Sequence, residues 1–426
     1  MTSSESQPWQ RYRLSAQQSE REGEGHLLDP SSPFQEHSSE AAGPPKRPAR
    51  WWDRLRLSRS ETVIVVVAII GIISSTLVLF GSTGTRNTGV FGLIALLPLA
   101  LVSWLLLSSD RIAPLPRRYF LLAVLWGAGV ATATAAMINT ALYSDFILYL
   151  GDVAEAETLA SVLVAPFSEE ILKGVGVVLI LILCRPYVVS VANGVAVGGL
   201  AGAGFAFTEN ILYFANAQAE GSTSLGMTIF ARAVMSPFVH PLATSFIGLG
   251  VAAAILGPPG GWSRTWRVTL GWVAAVLAHA MWNGLASLGT TWIIFYLLIE
   301  MPLFVGWLVW VTRRPRKQMA LLPLGLAPYV STSWISAQEV HMVSNAVARR
   351  HARKWGRRTG RTASKALRIY MIAAGRLGLE QLQMERFGAN RARAQVAQDS
   401  LSQIIAARDI FLEQGNLVAL GERLPR

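Results

Sequence analysis

The chain has 426 residues, of which 52% are hydrophobic and only 15% are charged. This composition excludes an ordinary soluble protein, because the apolar residues are concentrated between residues 61 and 312. The single cysteine, Cys184, excludes an intrachain disulfide framework and any cysteine-based zinc site.

The net charge of +12 is concentrated in the C-terminal tail. From Arg313 to the end, the chain has 20 Lys and Arg against 7 Asp and Glu, a balance of +13. The positive-inside rule accounts for such a tail on the cytoplasmic side of a membrane, and a basic tail also suits contact with anionic lipid. Nucleic acid is the less favoured partner.

The N-terminal segment differs in composition from the rest of the chain. Residues 1–45 are rich in Ser, Gln, Glu, Gly and Pro and have few aliphatic residues, which predicts disorder. Residues 46–56 combine basic residues with Trp51 and Trp52, which is typical of a cytoplasmic interfacial anchor. No cleaved signal peptide is expected, because the first apolar run follows this hydrophilic tail.

Eight apolar runs follow, each long enough to cross a bilayer as a helix of about 20 residues. Their predicted bounds are residues 61–82, 88–108, 118–141, 158–184, 188–214, 226–256, 267–287 and 291–312.

The charges in the connecting loops predict the orientation of these spans. Basic residues lie in the loops after spans two, four, six and eight, and acidic residues dominate the alternate loops. This alternation predicts that both termini are cytoplasmic. The fold class expected is an all-α polytopic membrane helix bundle. Its predicted parts are a disordered cytoplasmic tail at 1–58, a transmembrane bundle at 59–312 and a basic helical cytoplasmic tail at 313–426.

Two further patterns concern packing. Gly194, Gly198 and Gly202 follow one another at four-residue intervals in span five, which predicts a face that a neighbouring helix can approach closely. In the tail, residues 336–358, 363–379 and 392–412 have compositions and apolar spacings that favour helices.

Span four carries Glu169, Glu170 and Lys173 within an apolar segment. An ionisable group at membrane depth costs at least about 2.5 kcal/mol, so such groups tend to mark functional sites. Adjacent glutamates diverge by about 100° on a helix, so one could face a reaction centre while the other pairs with Lys173. The alternative interpretation is a purely architectural buried ion pair.

Three later spans bring more polar groups to similar depth. They are Glu209 and Asn210, then His240, then His279 and Asn283. At about 1.5 Å of rise per residue, Glu169 and both histidines fall near the middle of the bilayer. We therefore expect a shared pocket at the midplane or slightly outside it. The competing interpretation makes each histidine a hydrogen-bonded structural residue and places Glu209 at the interface, and Glu300 on span eight is expected to be structural.

Imidazoles and carboxylates together suit one reaction in particular. Both are ligands of zinc, and a bound metal brings the pKa of a water towards about 7. Without a metal, a buried glutamate could still act as general base, with histidine and asparagine stabilising the oxyanion. Both routes lead to hydrolysis of a peptide bond by activated water. Other protease motifs are absent from the sequence: there is no His-Glu-x-x-His, no Gly-x-Ser-x-Gly and no aspartate within an apolar span.

Two alternatives belong to other functional classes. A proton-coupled transporter could use the buried Glu, His and Lys residues as a relay, although the sequence shows no internal repeat. A non-catalytic membrane scaffold whose basic tail recruits a partner is the third possibility.

The residues resemble those of the PrsW-type intramembrane proteases, distant relatives of the CAAX-prenyl endopeptidases. The resemblance covers residues 60–312 and rests on four motifs in order. They are Glu169-Glu170-x-x-Lys173, Phe205-x-x-x-Glu209 followed by Asn210, Pro237-Phe238-Val239-His240 and His279-x-x-x-Asn283. Prenyl endopeptidases have histidine at the position of Glu209 and arginine in place of Lys173, which argues against a prenylated substrate.

The resemblance implies a site within the membrane and a role for each motif residue. Glu169 would be the base, Asn283 would donate to the oxyanion, and Glu170, Lys173 and Glu209 would complete the catalytic group. Glu170, Glu209, His240 and His279 would be the ligands of a divalent metal, with zinc as the candidate. The substrate implied is a membrane-anchored protein, such as an anti-sigma factor, in a bacterial-type plasma membrane.

Overall fold

The computed structural model describes residues 58–258 and 260–419. Helices account for nearly all of these two ranges, and neither contains a strand. The prediction of an all-α polytopic bundle is therefore confirmed. The predicted disordered tail at 1–45 and the interfacial anchor at 46–56 lie outside the described residues.

Ten helices form the apolar part of the described chain; two of them continue directly into short π-helical turns, and two others each contain such a turn. They are α1 Arg59–Thr83, α2 Thr85–Ser109, α3 Arg117–Leu150, α4 Val153–Leu159, α5 Ala165–Leu183, α6 Val191–Glu220, α7 Ser222–Ile229, α8 Val239–Leu256, α9 Gly261–Ala286 and α10 Trp292–Ser331. The π turn Ala160–Val164 joins α4 to α5, and the π turn Phe230–Met235 extends α7.

Seven helical segments in the described ranges are long and apolar enough to cross a membrane. The segment predicted as span four is not among the seven. Its main helix, α5, is 19 residues long and carries three charged residues, Glu169, Glu170 and Lys173. The charged residues that suggest a functional site thus also make this segment less apolar than a typical membrane span. The number of eight membrane spans stays a prediction.

The centre of the bundle is α6, most of which is buried against α2, α3, α5 and α8. Its glycines allow this. A Cβ added at Gly194, Gly198 or Gly202 would collide with backbone carbonyls of α8, at Gly248, Thr244 and His240 respectively. The predicted close helix approach is confirmed, and it brings the start of α8 against the middle of α6.

The outer helices expose large apolar side chains, as expected of a surface that faces lipid. Leu93 and Leu97 on α2 are 70% and 72% exposed, and Leu277 on α9 is 64% exposed. In water such a surface would be unfavourable, whereas in a bilayer it requires no covering.

The C-terminal tail folds into four helices that pack on the end of α10. They are α11 Ala337–Ser344, α12 Ala346–Thr359, α13 Arg361–Phe387 and α14 Arg391–Ala419. Their apolar core includes Leu322 and Leu326 of α10 together with Tyr370 and Leu377 of α13. Helices cover all three segments predicted for the tail, but the first segment is divided at Asn345 between α11 and α12. Helix α10 runs without a break past residue 312, so the division of the chain at 312 and 313 stays a prediction.

Hydrogen bonds join this tail to the loops between the apolar helices. Gln318 Nε2 donates to Ser190 Oγ at 2.6 Å, and Arg376 Nη2 donates to the Pro114 carbonyl at 2.9 Å. Beside them, Asn193 Nδ2 donates to the buried Asp110 at 2.6 Å. Burial outweighs this bond and raises the pKa of Asp110 to about 8.

Candidate active site

Helix α5 places three charged side chains in the interior of the bundle. Glu170 and Lys173 are fully buried and Glu169 is 5% exposed. Lys173 Nζ lies 2.6 Å from Glu170 Oε1 and 3.5 Å from Glu169 Oε2. It also lies 4.0 Å from the ring centroid of Phe205 on α6, which further stabilises the ammonium.

Glu170 is held by three helices at once. Besides its ion pair with Lys173, its Oε2 accepts a hydrogen bond from Thr244 Oγ1 of α8 at 2.9 Å. Its Oε1 also lies 3.1 Å from His279 Nδ1 of α9. Both oxygens are therefore engaged, and this carboxylate fixes the relative positions of α5, α8 and α9.

The contact with Glu170 determines the orientation of the His279 imidazole. A carboxylate oxygen can only accept, so Nδ1 carries the proton and Nε2 retains its lone pair. Nε2 lies 3.8 Å from Glu169 Oε2. An imidazole that donates one N–H to a carboxylate and keeps its other nitrogen free is the usual arrangement of a metal-binding histidine.

Glu169 is the most weakly held of the three carboxylates. Its contacts are to Asn139 Nδ2 at 3.3 Å, to Lys173 Nζ at 3.5 Å and to His279 Nε2 at 3.8 Å. It has no strong donor comparable to those of Glu170. Of the three, this carboxylate is the freest to take a new partner.

His240 and Glu209 form the other side of the cluster. His240 Nε2 lies 2.8 Å from Glu209 Oε2, and its Nδ1 lies 3.3 Å from Lys173 Nζ. The rings of His240 and His279 are 4.8 Å apart and nearly perpendicular. Arg232, on the π turn after α7, forms an ion pair with Glu209 and donates from Nε to Asn210 Oδ1 at 2.7 Å.

The structure thus brings together six of the seven predicted site residues: Glu169, Glu170, Lys173, Glu209, His240 and His279. Asn283 lies apart from them. It is one turn beyond His279, but its Nδ2 donates to the carbonyl of Ser161 at 2.7 Å, in the π turn before α5. Glu300 also lies outside the cluster, with Trp292 Nε1 at 3.3 Å from its Oε2. The catalytic role predicted for Asn283 stays a prediction.

Sequence reasoning missed three residues of the cluster: Asn139, Arg232 and Thr244. Asn139 on α3 donates to Glu169 and accepts from Ser168 Oγ at 2.6 Å. It is the only amide side chain in the predicted span 118–141, and that signal could have identified it. Arg232 was missed as well, although an arginine within an apolar segment itself predicts a buried carboxylate partner.

The donor atoms in the cluster fit a divalent metal. Glu169, His240 and His279 each offer one ligand atom, and these atoms lie within 4.8 Å of one another. Two imidazoles and a carboxylate are a common ligand set for zinc. This group contains both predicted histidines but has Glu169 in place of Glu170 and Glu209. Lys173 Nζ contacts two of the three groups, so metal binding would require it to turn fully towards Glu170, which it already contacts at 2.6 Å.

The charges of the cluster point the same way. Three carboxylates face two permanent cations, Lys173 and Arg232, which leaves one negative charge when the imidazoles are neutral. A buried site with a net negative charge attracts a cation, so the charge balance also favours metal binding.

Comparison with known proteins agrees with this site. The model of the PrsW family of intramembrane metalloproteases matches residues 115–307. The match covers somewhat less than half of the chain and supports a PrsW-type family for it. The matched range includes every residue of the cluster, from Asn139 on α3 to His279 on α9. No curated protein and no solved structure shows significant similarity to the chain.

The match to the PrsW family supports a reaction class for this multi-pass membrane protein. The family is one of intramembrane metalloproteases, which implies hydrolysis of peptide bonds and a membrane protein as substrate. The family also implies a divalent metal, which the donor set of Glu169, His240 and His279 suits.

Proposed function

We propose that the chain cuts a membrane-anchored regulatory protein, such as an anti-sigma factor, with Glu169 as the general base. The observation that carries this proposal is the convergence of Glu169, His240 and His279, whose ligand atoms lie within 4.8 Å of one another. Glu169 is the base because its contacts are all 3.3 Å or longer, whereas Glu170 and Glu209 are engaged by cations.

The proposed mechanism begins with a water molecule between Glu169 and the two histidines. Glu169 accepts a proton from this water, and the oxygen attacks the carbonyl carbon of the substrate. Glu169 then returns the proton to the leaving amide nitrogen as the peptide bond breaks. When bound, a metal held by His240, His279 and one oxygen of Glu169 would make the water more acidic and polarise the carbonyl, and the second Glu169 oxygen would still be able to accept the proton.

The remaining residues of the cluster position these groups. Glu170 keeps His279 in the tautomer with a free Nε2, and Lys173 holds Glu170 in place. Asn283, by its bond to Ser161, secures the π turn that leads into α5. We therefore assign Asn283 a positioning role through this turn.

A substrate needs more room than the structure provides. The cavity beside His240 has a volume of about 20 Å³, with Arg232 and Trp282 among the residues that line it. This is enough for about one water molecule and not for a peptide backbone. Access of a substrate therefore requires part of the protein to move. We propose that the π turn Phe230–Met235 covers the site and is the part that moves, since its Arg232 pairs directly with Glu209 of the cluster.

The proposed setting is a bacterial-type plasma membrane with both termini in the cytoplasm. The support is the alternation of basic and acidic loops in the sequence. In that orientation the cluster lies at the midplane or in the outer half of the membrane. The cut is then expected near the external end of the substrate's own span.

The test compares Glu169→Gln with Glu300→Gln in cells that normally express the protein. Both residues are buried carboxylates on helices of the bundle, but only Glu169 belongs to the cluster. Mass spectrometry of the membrane fraction should show uncut substrate accumulating with Glu169→Gln, and a rate of cleavage reduced by about 10²–10⁴-fold. The Glu300→Gln variant should cleave the substrate at the wild-type rate.

Unchanged cleavage products in a stably inserted Glu169→Gln variant would refute the proposed base. A chelator added to the purified wild-type protein should also stop cleavage, and full activity after chelation would refute the metal-dependent route.

A further inference from the structure

A second cavity, far larger than the one beside His240, lies between the apolar helices and the tail. Its volume is about 970 Å³, and it is bounded by α2 and α3 on one side and by α12 and α13 on the other. Pockets for small-molecule ligands and cofactors usually measure about 300–1,000 Å³, so this one can hold a sizeable ligand. It lies at the loop between α2 and α3, on the side predicted to be cytoplasmic.

Seven arginines line this cavity, which we call the arginine cavity. Arg111 and Arg117 belong to the loop and the start of α3, and Arg368 and Arg376 belong to α13. Arg349, Arg353 and Arg357 follow at four-residue intervals along one face of α12. None of the described residues that line the cavity is Asp or Glu.

On α12, Arg349 and Arg353 face other arginines, whereas Arg376 on α13 is attracted by Asp110 and Glu380. Arg349 is only 4% exposed, and burial, together with Arg353 and Arg111, lowers its pKa to about 10. Burial and the repulsion of Arg111, Arg368 and Arg357 also lower the pKa of Arg353. A buried cation surrounded by cations is costly, and a bound anion would relieve that cost.

The opposite wall of the cavity is apolar. Leu107 of α2, Phe120, Leu121 and Val124 of α3, and Leu200 of α6 line it. All five lie on helices that are candidates to cross the membrane. The cavity therefore combines a basic wall, formed by five arginines of the tail together with Arg111 and Arg117, and an apolar wall from the bundle. An amphiphile with an anionic head complements both.

We propose that the arginine cavity binds an anionic phospholipid, with its phosphate among the arginines and an acyl chain against α2 and α3. Guanidinium groups bind phosphate oxygens through paired hydrogen bonds, and the planar fork suits them better than an ammonium group does. Basic pockets between membrane helices on the cytoplasmic side are known sites for anionic head groups. Free phosphate would use the basic wall alone and leave the apolar wall unoccupied.

The experiment measures lipid retained by the purified full-length protein in detergent, by native mass spectrometry. Phosphatidylglycerol and phosphatidylcholine with the same acyl chains are added in turn. The test variant combines Arg353→Gln, Arg357→Gln and Arg368→Gln. The control combines Arg350→Gln, Arg358→Gln and Arg361→Gln, which removes the same charge from exposed arginines of α12 and α13 that do not line the cavity.

The wild type and the control should retain phosphatidylglycerol at least about tenfold better than phosphatidylcholine, and the test variant should lose this preference. Equal losses of the preference for phosphatidylglycerol in both triple variants would overturn the proposal, because they would show that the lipid is attracted to the basic surface as a whole. Equal retention of both lipids in the wild type would overturn it in favour of apolar contact alone. Displacement of the lipid by millimolar inorganic phosphate would identify a free-anion site instead.

Discussion

The two charged regions of this molecule differ in whether their charges are paired. In the cluster around Glu169, each carboxylate has a cation within reach, and each cation pairs with a carboxylate. In the arginine cavity, seven guanidinium groups line a space without a lining carboxylate among the described residues. The positive and negative charges of the cluster balance except for one negative charge. The arginine cavity lacks a balancing anion. Removing one cation should therefore destabilise the protein at the cluster but not at the cavity.

The largest effect on stability is expected from Lys173→Met. This change leaves Glu170 as a fully buried carboxylate without its cation, and breaking a buried ion pair typically costs about 3–5 kcal/mol. Reversible unfolding in mixed detergent micelles should show a loss of this size in the free energy of unfolding.

The matched change in the other region is Arg353→Gln. Because Arg353 faces other arginines, its removal relieves repulsion, and we expect the free energy of unfolding to stay within about 0.5 kcal/mol or to rise. If Arg353→Gln destabilises the protein as much as Lys173→Met does, the two regions do not differ as described.

A smaller loss is expected from Gly202→Val, which attacks the packing that builds the cluster. The new side chain would collide with the carbonyl of His240, where α6 and α8 touch backbone to backbone. Overpacking typically costs about 1–3 kcal/mol, and displacement of α8 should also separate His240 from Glu209. The control is Gly226→Val, where an added Cβ meets nothing within 4 Å. Similar melting temperatures for the two variants would contradict a tight α6–α8 contact.

The last effect depends on pH and concerns Asp110, which directly precedes Arg111 of the arginine cavity. Burial raises its pKa from 3.8 to about 8, more than its bonds to Leu115 and Asn193 and the charge of Arg376 lower it. The folded state therefore holds this proton between about pH 4 and pH 8, where the unfolded state has released it. The resulting stabilisation is complete below the unfolded pKa and is lost as the pH rises through about 8.

Thermal unfolding at pH 6 and pH 8.5 measures this effect. The melting temperature of the wild type should fall on going to the higher pH, and Asp110→Asn should reduce the difference. Asp145→Asn, at an exposed carboxylate, serves as the control. An unchanged difference in Asp110→Asn would show that another group is responsible.

Much of the candidate site could be predicted from the sequence because polar residues in apolar spans are costly and therefore conspicuous. Glu169, His240 and His279 were identified on this basis, and the glycines of α6 predicted a close helix contact without identifying α8 as the partner. The different roles of Glu169 and Glu170 could not be predicted in the same way. It depends on Thr244 and His279, which are 74 and 109 residues away from Glu170 along the chain.

Other features depend on tertiary structure alone. Asn283 shares a helix face with His279, yet it donates to Ser161 because the turn before α5 passes beside it. The arginine cavity unites Arg111 with Arg349 and Arg376, which no local pattern connects. Charge composition alone suggested that the tail could contact anionic lipid, but not where such a lipid would bind.

The central claim is that Glu169, His240 and His279 form one metal-dependent hydrolytic centre. The most direct measurement is the divalent metal content of the purified full-length protein, by elemental mass spectrometry, alongside cleavage of its substrate. We predict about one metal ion per chain in the wild type and in Glu300→Gln, and almost none in the variant with both His240→Ala and His279→Ala, which should also be inactive. Undiminished metal content in the double variant, or cleavage that continues without these histidines, would contradict the account.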